Sequence, residues 1–314
     1  MNQVEHKPIP LIVLAGSDKA PASLPQDGVQ LHPLKGSKGH EVKIHGRPII
    51  ELLLEQIRGC RCFDPVFVAA PAAIYGEECQ GCRIIDTDKT FGTNVVTAVQ
   101  RAADVCPDRP LAITTCDILP TTEELERVME DYFRHAPLDF WFPLVSAPRE
   151  ARKLGASFWK PQYSLTPHGE PAARKILPGH LVVVDPAALR LPLIRHSFDL
   201  AYRSRNRSIL YRLWLILSHL FLGLIVQDIM NLSRGRPPTI TLDVIFQGVA
   251  LSLHLRKGII TPEESAARLR KIFVRRGHRR RHPDRRGRLP LVDEFSLAKD
   301  IDTQEEAREI AGRA

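Results

Sequence analysis

Four short stretches of this 314-residue chain hold residue types that could do chemistry together. Leu14-Ala15-Gly16-Ser17 puts small residues directly after an apolar run, where backbone N–H groups can approach phosphate oxygens. Gly36-Ser37-Lys38-Gly39, then Lys43 and Gly46-Arg47-Pro48, offers cations able to offset charge on a phosphoryl group. Surface lysines in a long loop are the plainer reading of the same residues. Asp117 closes the apolar stretch 111–116, and an acid at that point is costly unless paired or metal-bound. A hard cation such as Mg²⁺, held by one or two carboxylates plus substrate phosphates, suits it. The alternative is that Asp117 caps the helix expected from residue 121. Finally, Asp300-Ile301-Asp302 places two acids on one side of an extended segment, and Asp302 is either a ligand or the N-cap of the last helix.

These stretches need a scaffold, and the apolar periodicity supplies one. Short buried strands are expected at 10–15, 65–70, 82–86 and 111–116, with further strands at 139–142 and 180–184. Helical spacing covers 49–57 (Ile49, Ile50, Leu53, Leu54, Ile57), 93–103 and 121–133, the last with acids in its first turn. Strands alternating with helices at this spacing argue an α/β fold with a mostly parallel sheet covered on both faces. In such sheets ligands bind beyond the carboxyl ends of the strands, where the small-residue turn and Asp117 fall.

After about residue 200 the pattern becomes helical. Residues 202–232 read as one helix, apolar over 213–226 but for Ser218, His219 and Gly223. Fourteen residues are short for a bilayer span, so a packed helix and contact with a membrane surface through 203–232 are the readings weighed ahead of a true span. Arg203, Arg205, Arg207 and Arg212 beside it suit an anionic surface. A second apolar helix is expected over 241–255, and a third starts at Thr261-Pro262 with Glu263 and Glu264 behind. A strand over 295–300 then runs into a final helix capped at Asp302 or Thr303.

The chain is 44% apolar and 25% charged, a globular composition. Its net charge of +8 equals that of one tract, 271–288, which carries eight Arg and one Lys against one Asp. The tract lacks interleaved aromatics for stacking bases, so no nucleic-acid partner is expected and a solvated loop is the default. The N-terminus lacks the charged-then-apolar layout of a signal peptide, which makes the cytoplasm the expected compartment, with peripheral membrane contact as a variant of it. Six cysteines then stay thiols. Cys60, Cys62, Cys79 and Cys82 could form a zinc site, but the first spacing is tight, and ordinary thiols are expected.

Taken in order, Leu14-Ala-Gly-Ser17, the lysine-bearing loop ahead of Gly46-Arg-Pro48, Thr115-Cys-Asp117-Ile-Leu-Pro120 and Asp300-Ile-Asp-Thr-Gln-Glu305 resemble the MobA-like nucleotidyltransferases of the GT-A fold. The resemblance covers 1–200 and 289–314 and leaves 201–288 as a basic helical insertion. It implies a three-layer Rossmann-like domain that transfers an NMP group from an NTP to a phosphorylated or hydroxylated small-molecule acceptor, releasing pyrophosphate with Mg²⁺. On that pattern Leu14, Ala15, Gly16 and Ser17 lie by the nucleotide, with Lys38 as the phosphate-loop lysine and Lys43 as its rival. Asp117 and Asp302 hold the metal; Gly92, Thr93 and Asn94 contact base or ribose, and Gly179 approaches the acceptor. The first loop departs from the family in having fewer glycines and in carrying Asp18 and Lys19. Two other functions stand beside this one: a glycosyltransferase using an NDP-sugar, for which Asp86-Thr87-Asp88 has the right spacing, and a non-catalytic nucleotide-binding protein at a membrane surface.

Overall fold

A computed structural model of the chain describes residues 6–17, 34–148, 162–204, 209–233 and 240–312, with 235 and 238. Asp18 and Lys19 of the first loop, and Arg205 and Arg207, lie outside the described residues.

The first half of the chain alternates as its periodicity predicts. Strand β1 (Ile9–Leu14) leads through a loop to the one-turn helix α1 (Lys38–Glu41) and a hairpin of β2 (Lys43–Ile44) and β3 (Arg47–Pro48). Helix α2 (Ile49–Gly59) comes next and buries all five of its predicted apolar positions. Then come β4 (Phe63–Ala70), α3 (Ala72–Tyr75), β5 (Arg83–Asp86), α4 (Phe91–Val105) and β6 (Leu111–Thr115). Helix α5 (Thr122–His135) starts at a capping box: Glu124 N–H donates to Thr121 Oγ1 at 3.3 Å, and Thr121 N–H to Glu124 Oε2 at 2.8 Å.

Next are β7 (Phe140–Trp141), β8 (Leu144–Ser146), β9 (Tyr163–Leu165), β10 (Arg174–Pro178) and β11 (Val182–Val184). Five helices succeed them, α6 (Leu191–Arg203), α7 (Ile209–Ser233), α8 (Ile240–Lys257), α9 (Pro262–Phe273) and α10 (Arg276–Arg281), of which α9 starts at the predicted Thr261 cap. The chain closes with β12 (Gly287–Arg288), β13 (Leu291–Val292) and α11 (Gln304–Ala311). No helix among the described residues is long and apolar enough to cross a membrane.

Seven strands form the central sheet in the order β12-β7-β11-β6-β1-β4-β5. Strands β5, β4, β1 and β6 run parallel, and β11 is antiparallel to both β6 and β7. A second sheet, β13-β8-β10-β9, lies alongside. Strand β1 shows why the chain folds in layers. Leu11 and Val13 point to the core beneath α2 and α5, while Ile12 points to the core beneath α4. A strand whose two faces are both dry must be apolar throughout, which is why 9–14 lacks polar alternation. This is the mostly parallel, two-face-covered α/β sheet expected from the sequence.

Two expectations need correction. The basic tract is no solvated loop. It contains α10 and β12, and β12 joins the main sheet beside β7. Its cations meet acids from elsewhere: Arg285 pairs with Asp185, and Arg288 grips Asp131 with Nε at 2.8 Å and Nη2 at 2.6 Å. The fully buried Asp139 accepts from His278 Nε2 at 3.1 Å and from Arg270 Nε of α9. Nothing local in the tract announces these partners, because they lie 100 or more residues away. The second correction concerns the end of the chain. In place of a strand over 295–300 there is a single 3₁₀ turn at Phe295–Leu297. The final cap is Thr303, whose Oγ1 accepts from Glu306 N–H at 3.2 Å, so the carboxylate of Asp302 is not needed for capping.

Burial opposes ionisation of Asp131, but its hydrogen bonds from Arg288 and Trp141 outweigh that and hold the carboxyl below the usual aspartate range. A lowered folded-state value means stability that is complete above the unfolded value of about 4 and is lost as pH falls through the folded one. Asp131→Asn is expected to cost about 2 kcal/mol in urea unfolding at pH 7. The gap between parent and variant should close below about pH 4.

Candidate active site

The carboxyl ends of β1 and β6 lie side by side, with Cys116 N–H bonded to Leu14 O at 3.0 Å. The turns leaving the two strands are thereby brought together. After β1, Gly16 lies so close to α4 that a Cβ would sit 2.9 Å from Asn94 Nδ2 and would have to displace that amide. Ser17 donates to Asp88 Oδ1 through both N–H, at 3.2 Å, and Oγ, at 2.6 Å. After β6 comes Asp117, whose carbonyl accepts Ile301 N–H at 2.8 Å and so holds the C-terminal segment against the end of the sheet.

That hydrogen bond places Asp300 and Asp302 beside Asp117. The three carboxylates converge until one oxygen of each lies within 4.8 Å of the others. Two positively polarised groups meet them. Lys38 Nζ, buried on α1, donates to Asp302 Oδ1 at 2.7 Å. His180 Nε2 lies 2.9 Å from Asp300 Oδ1, and its Nδ1 lies 3.0 Å from Thr115 Oγ1. The ion-pair contact at one nitrogen and the hydrogen bond at the other place the ring between Asp300 and Thr115. Burial, reinforced by the Asp117 carboxylate, pushes the neighbouring Cys116 thiol far up, so it stays neutral and adds no fourth negative charge.

Three clustered carboxylates fit a hard cation, which takes oxygen ligands. One detail supports this: Asp117 Oδ1 is buried and has no hydrogen-bond partner among the described residues. An acceptor left without a donor in a protein interior is costly, and a cation is what such an oxygen would take.

The cluster opens into a cavity of about 450 Å³. Leu14, Gly16, Ser17, Lys38, Asn94 and Asp117 line it, all of them singled out by sequence. Ala15 is buried beneath its floor. Gly92 and Thr93 do not line it. Gly92 packs against α6, where a Cβ would meet Arg195 O at 2.1 Å, and its N–H donates to Asp199 Oδ1 at 2.7 Å. Thr93 Oγ1 accepts from Thr90 Oγ1 at 2.8 Å. Gly179 lies just ahead of His180 and donates to Pro143 O at 3.0 Å. Asp302 stands behind Lys38, and Lys43 lies on the exposed β2. The Asp86/Asp88 pair is engaged elsewhere: Asp86 Oδ1 accepts from Ala72 N–H at 2.9 Å, and Asp88 receives Ser17.

The cavity also holds residues that sequence reading missed. Lys89 and Arg203 add cations, and Phe91 and Tyr202 form an aromatic wall, their rings stacked 5.6 Å apart. Tyr202 and Arg203 come from the end of α6, about 110 residues beyond Phe91, with no local motif to mark them. His180, beside the cluster and outside the cavity lining, was also not singled out, whereas Asp300 was, as the first acid of the Asp300-Ile301-Asp302 pair. The four candidate zinc cysteines are free thiols, and among the described residues the only group of three or more ligand-type side chains that converges is the aspartate cluster.

Neither a protein-family model nor a curated protein sequence matches the chain. Solved structures do. A hypothetical transferase from Thermus thermophilus superimposes with a TM-score of 0.54 at 20% identity, over 96% of this chain and 99% of that one. The chain therefore shares its fold with that protein along nearly its whole length, the helices after residue 200 included. Weaker matches include a CMP:2-keto-3-deoxy-manno-octonic acid synthetase complexed with CTP, with a TM-score of 0.48 at 12% identity over 98% of each chain. Another is the 2-C-methyl-D-erythritol 4-phosphate cytidylyltransferase of Thermus thermophilus, with a TM-score of 0.42 at 13% identity over 97% of this chain and 99% of that one.

A crowded acid cluster should burden the metal-free fold. At the separations seen here, with an effective protein dielectric near 20, each like-charge contact costs on the order of 3–4 kcal/mol before Lys38 offsets part of it. Asp117→Asn is therefore expected to raise the melting temperature in EDTA by a few degrees. An unchanged or lower value would show that the three carboxylates do not repel one another in the folded protein.

Proposed function

We propose that the chain is a nucleotidyltransferase that passes an NMP group from an NTP to a phosphorylated or hydroxylated small molecule. The observation that carries this reading is the convergence of Asp117, Asp300, Asp302 and Lys38 beside a cavity that Asp117 and Lys38 line together with Phe91 and Tyr202. One end of such a cavity suits a charged, metal-associated phosphate chain, and the other suits a flat apolar ring.

The reaction needs no protein nucleophile. An oxygen of the acceptor attacks the α-phosphorus and forms a new P–O bond. The bond from that phosphorus to the bridging oxygen breaks, and pyrophosphate leaves with the electron pair. The catalytic demand is positioning and charge neutralisation. Gly16 and Ser17 let the backbone approach the phosphates closely, and Lys38, Lys89 and Arg203 bring positive charge to them. Lys38 has a second role: its bond to Asp302 keeps the ammonium aimed at the cluster before any substrate arrives. Mg²⁺ held by Asp117 and Asp302, with Asp300 beside them, would supply Lewis-acid charge stabilisation at the reacting phosphate. His180 orients Asp300, and Gly179 beside it marks the side from which an acceptor can approach.

A thermal-shift screen against ATP, CTP, GTP and UTP tests the reading, because a ligand that binds only the folded state raises its melting temperature. One or two of the nucleotides should stabilise the protein in Mg²⁺ and not in EDTA, and Asp117→Ala should lose the effect while remaining folded. Stabilisation by NDP-sugars alone would point to glycosyl transfer. No response to any nucleotide would leave a non-catalytic role.

A further inference from the structure

We propose that the outer face of α7 and α8 docks on an anionic lipid bilayer. The two helices pack on each other, and among the described residues several of their large apolar side chains are exposed. Tyr211, Trp214, Phe221 and Ile229 of α7 and Leu242 and Phe246 of α8 are between 44% and 72% exposed. Six large apolar side chains exposed on two adjacent helices exceed the scattered surface hydrophobics of an ordinary soluble domain.

Charge selects the occupant. Residues 203–257 carry seven Arg and one Lys against two Asp, with no Glu. Both acids are engaged: Asp228 is buried and accepts from Ile240 and Thr241 N–H at 3.0 and 2.8 Å, and Asp243 lies 3.9 Å from Arg279. The exposed Arg256 and Lys257 stand at the C-terminal end of α8, clear of the apolar stretch. Apolar side chains flanked by basic ones, with an exposed Trp, is what the boundary between headgroups and acyl chains recognises. A second copy of the chain would bring the same net positive charge to the interface, which opposes pairing. The inference does not depend on nucleotidyl transfer, and its failure would leave nucleotide binding at the aspartate cluster untouched.

Co-sedimentation of the full chain with phosphatidylcholine vesicles, with and without phosphatidylglycerol, tests it. Binding to the phosphatidylglycerol vesicles is expected, with a blue shift of tryptophan emission and weakening at high salt. Leu242→Glu/Phe246→Glu should weaken binding roughly tenfold or more while keeping the circular-dichroism spectrum and cooperative thermal unfolding of the parent. Absence of binding to the anionic vesicles, or equal binding to both kinds, would overturn the proposal. So would a concentration-dependent dimer in light scattering that the double variant abolishes, because that result assigns the face to a second copy.

Discussion

Three carboxylates gathered within 4.8 Å repel one another, and the surrounding structure is arranged around that repulsion. Lys38 reaches in from α1 to meet Asp302, and His180 reaches in from the approach to β11 to meet Asp300. Each contact fixes a segment that would otherwise be free to choose its place. The short α1 is held at the site through Lys38, and the chain after the 3₁₀ turn is held by Asp300 and by the Ile301 bond to Asp117. Even the final cap belongs to this arrangement. Thr303 takes over the capping of α11, and Asp302 can then turn its carboxylate inward.

Much of this was legible in the chain, and the limits were physical. The strands of the parallel core announce themselves because both faces are buried and their residues are largely apolar, as in β1 and in Leu111–Ile113 of β6. Asp117 stood out as an acid at the end of such a run, and Gly16 as a small residue at the neighbouring turn. Lys38 and Asp302 were each foreseen, but not that they would touch across 264 residues, since no local pattern encodes a contact of that separation. Tyr202 and Arg203 were invisible for the same reason. Helical periodicity tells which face of α6 is buried, not which cavity its last turn closes.

The basic tract shows the opposite error. A run of arginines reads as solvated because each one alone is most stable in water. Here Asp131, Asp139 and Asp185, scattered through the first 185 residues, supply partners that make folding the tract onto the edge of the sheet favourable. Trp214 and Phe221 of α7 and Leu242 and Phe246 of α8 stay between 46% and 72% exposed, and that contrast sets them apart from the rest of the described surface.

The central claim is that the aspartate cluster holds a divalent ion shared with a nucleotide. Diffraction from crystals grown with Mn²⁺ and the preferred nucleotide, recorded at the manganese edge, tests it most directly. The account predicts an anomalous peak among Asp117, Asp300 and Asp302, with the triphosphate running past Gly16 and Ser17 toward Lys38. Nucleotide bound elsewhere on the chain, or bound in this cavity with no manganese at the cluster, would contradict it.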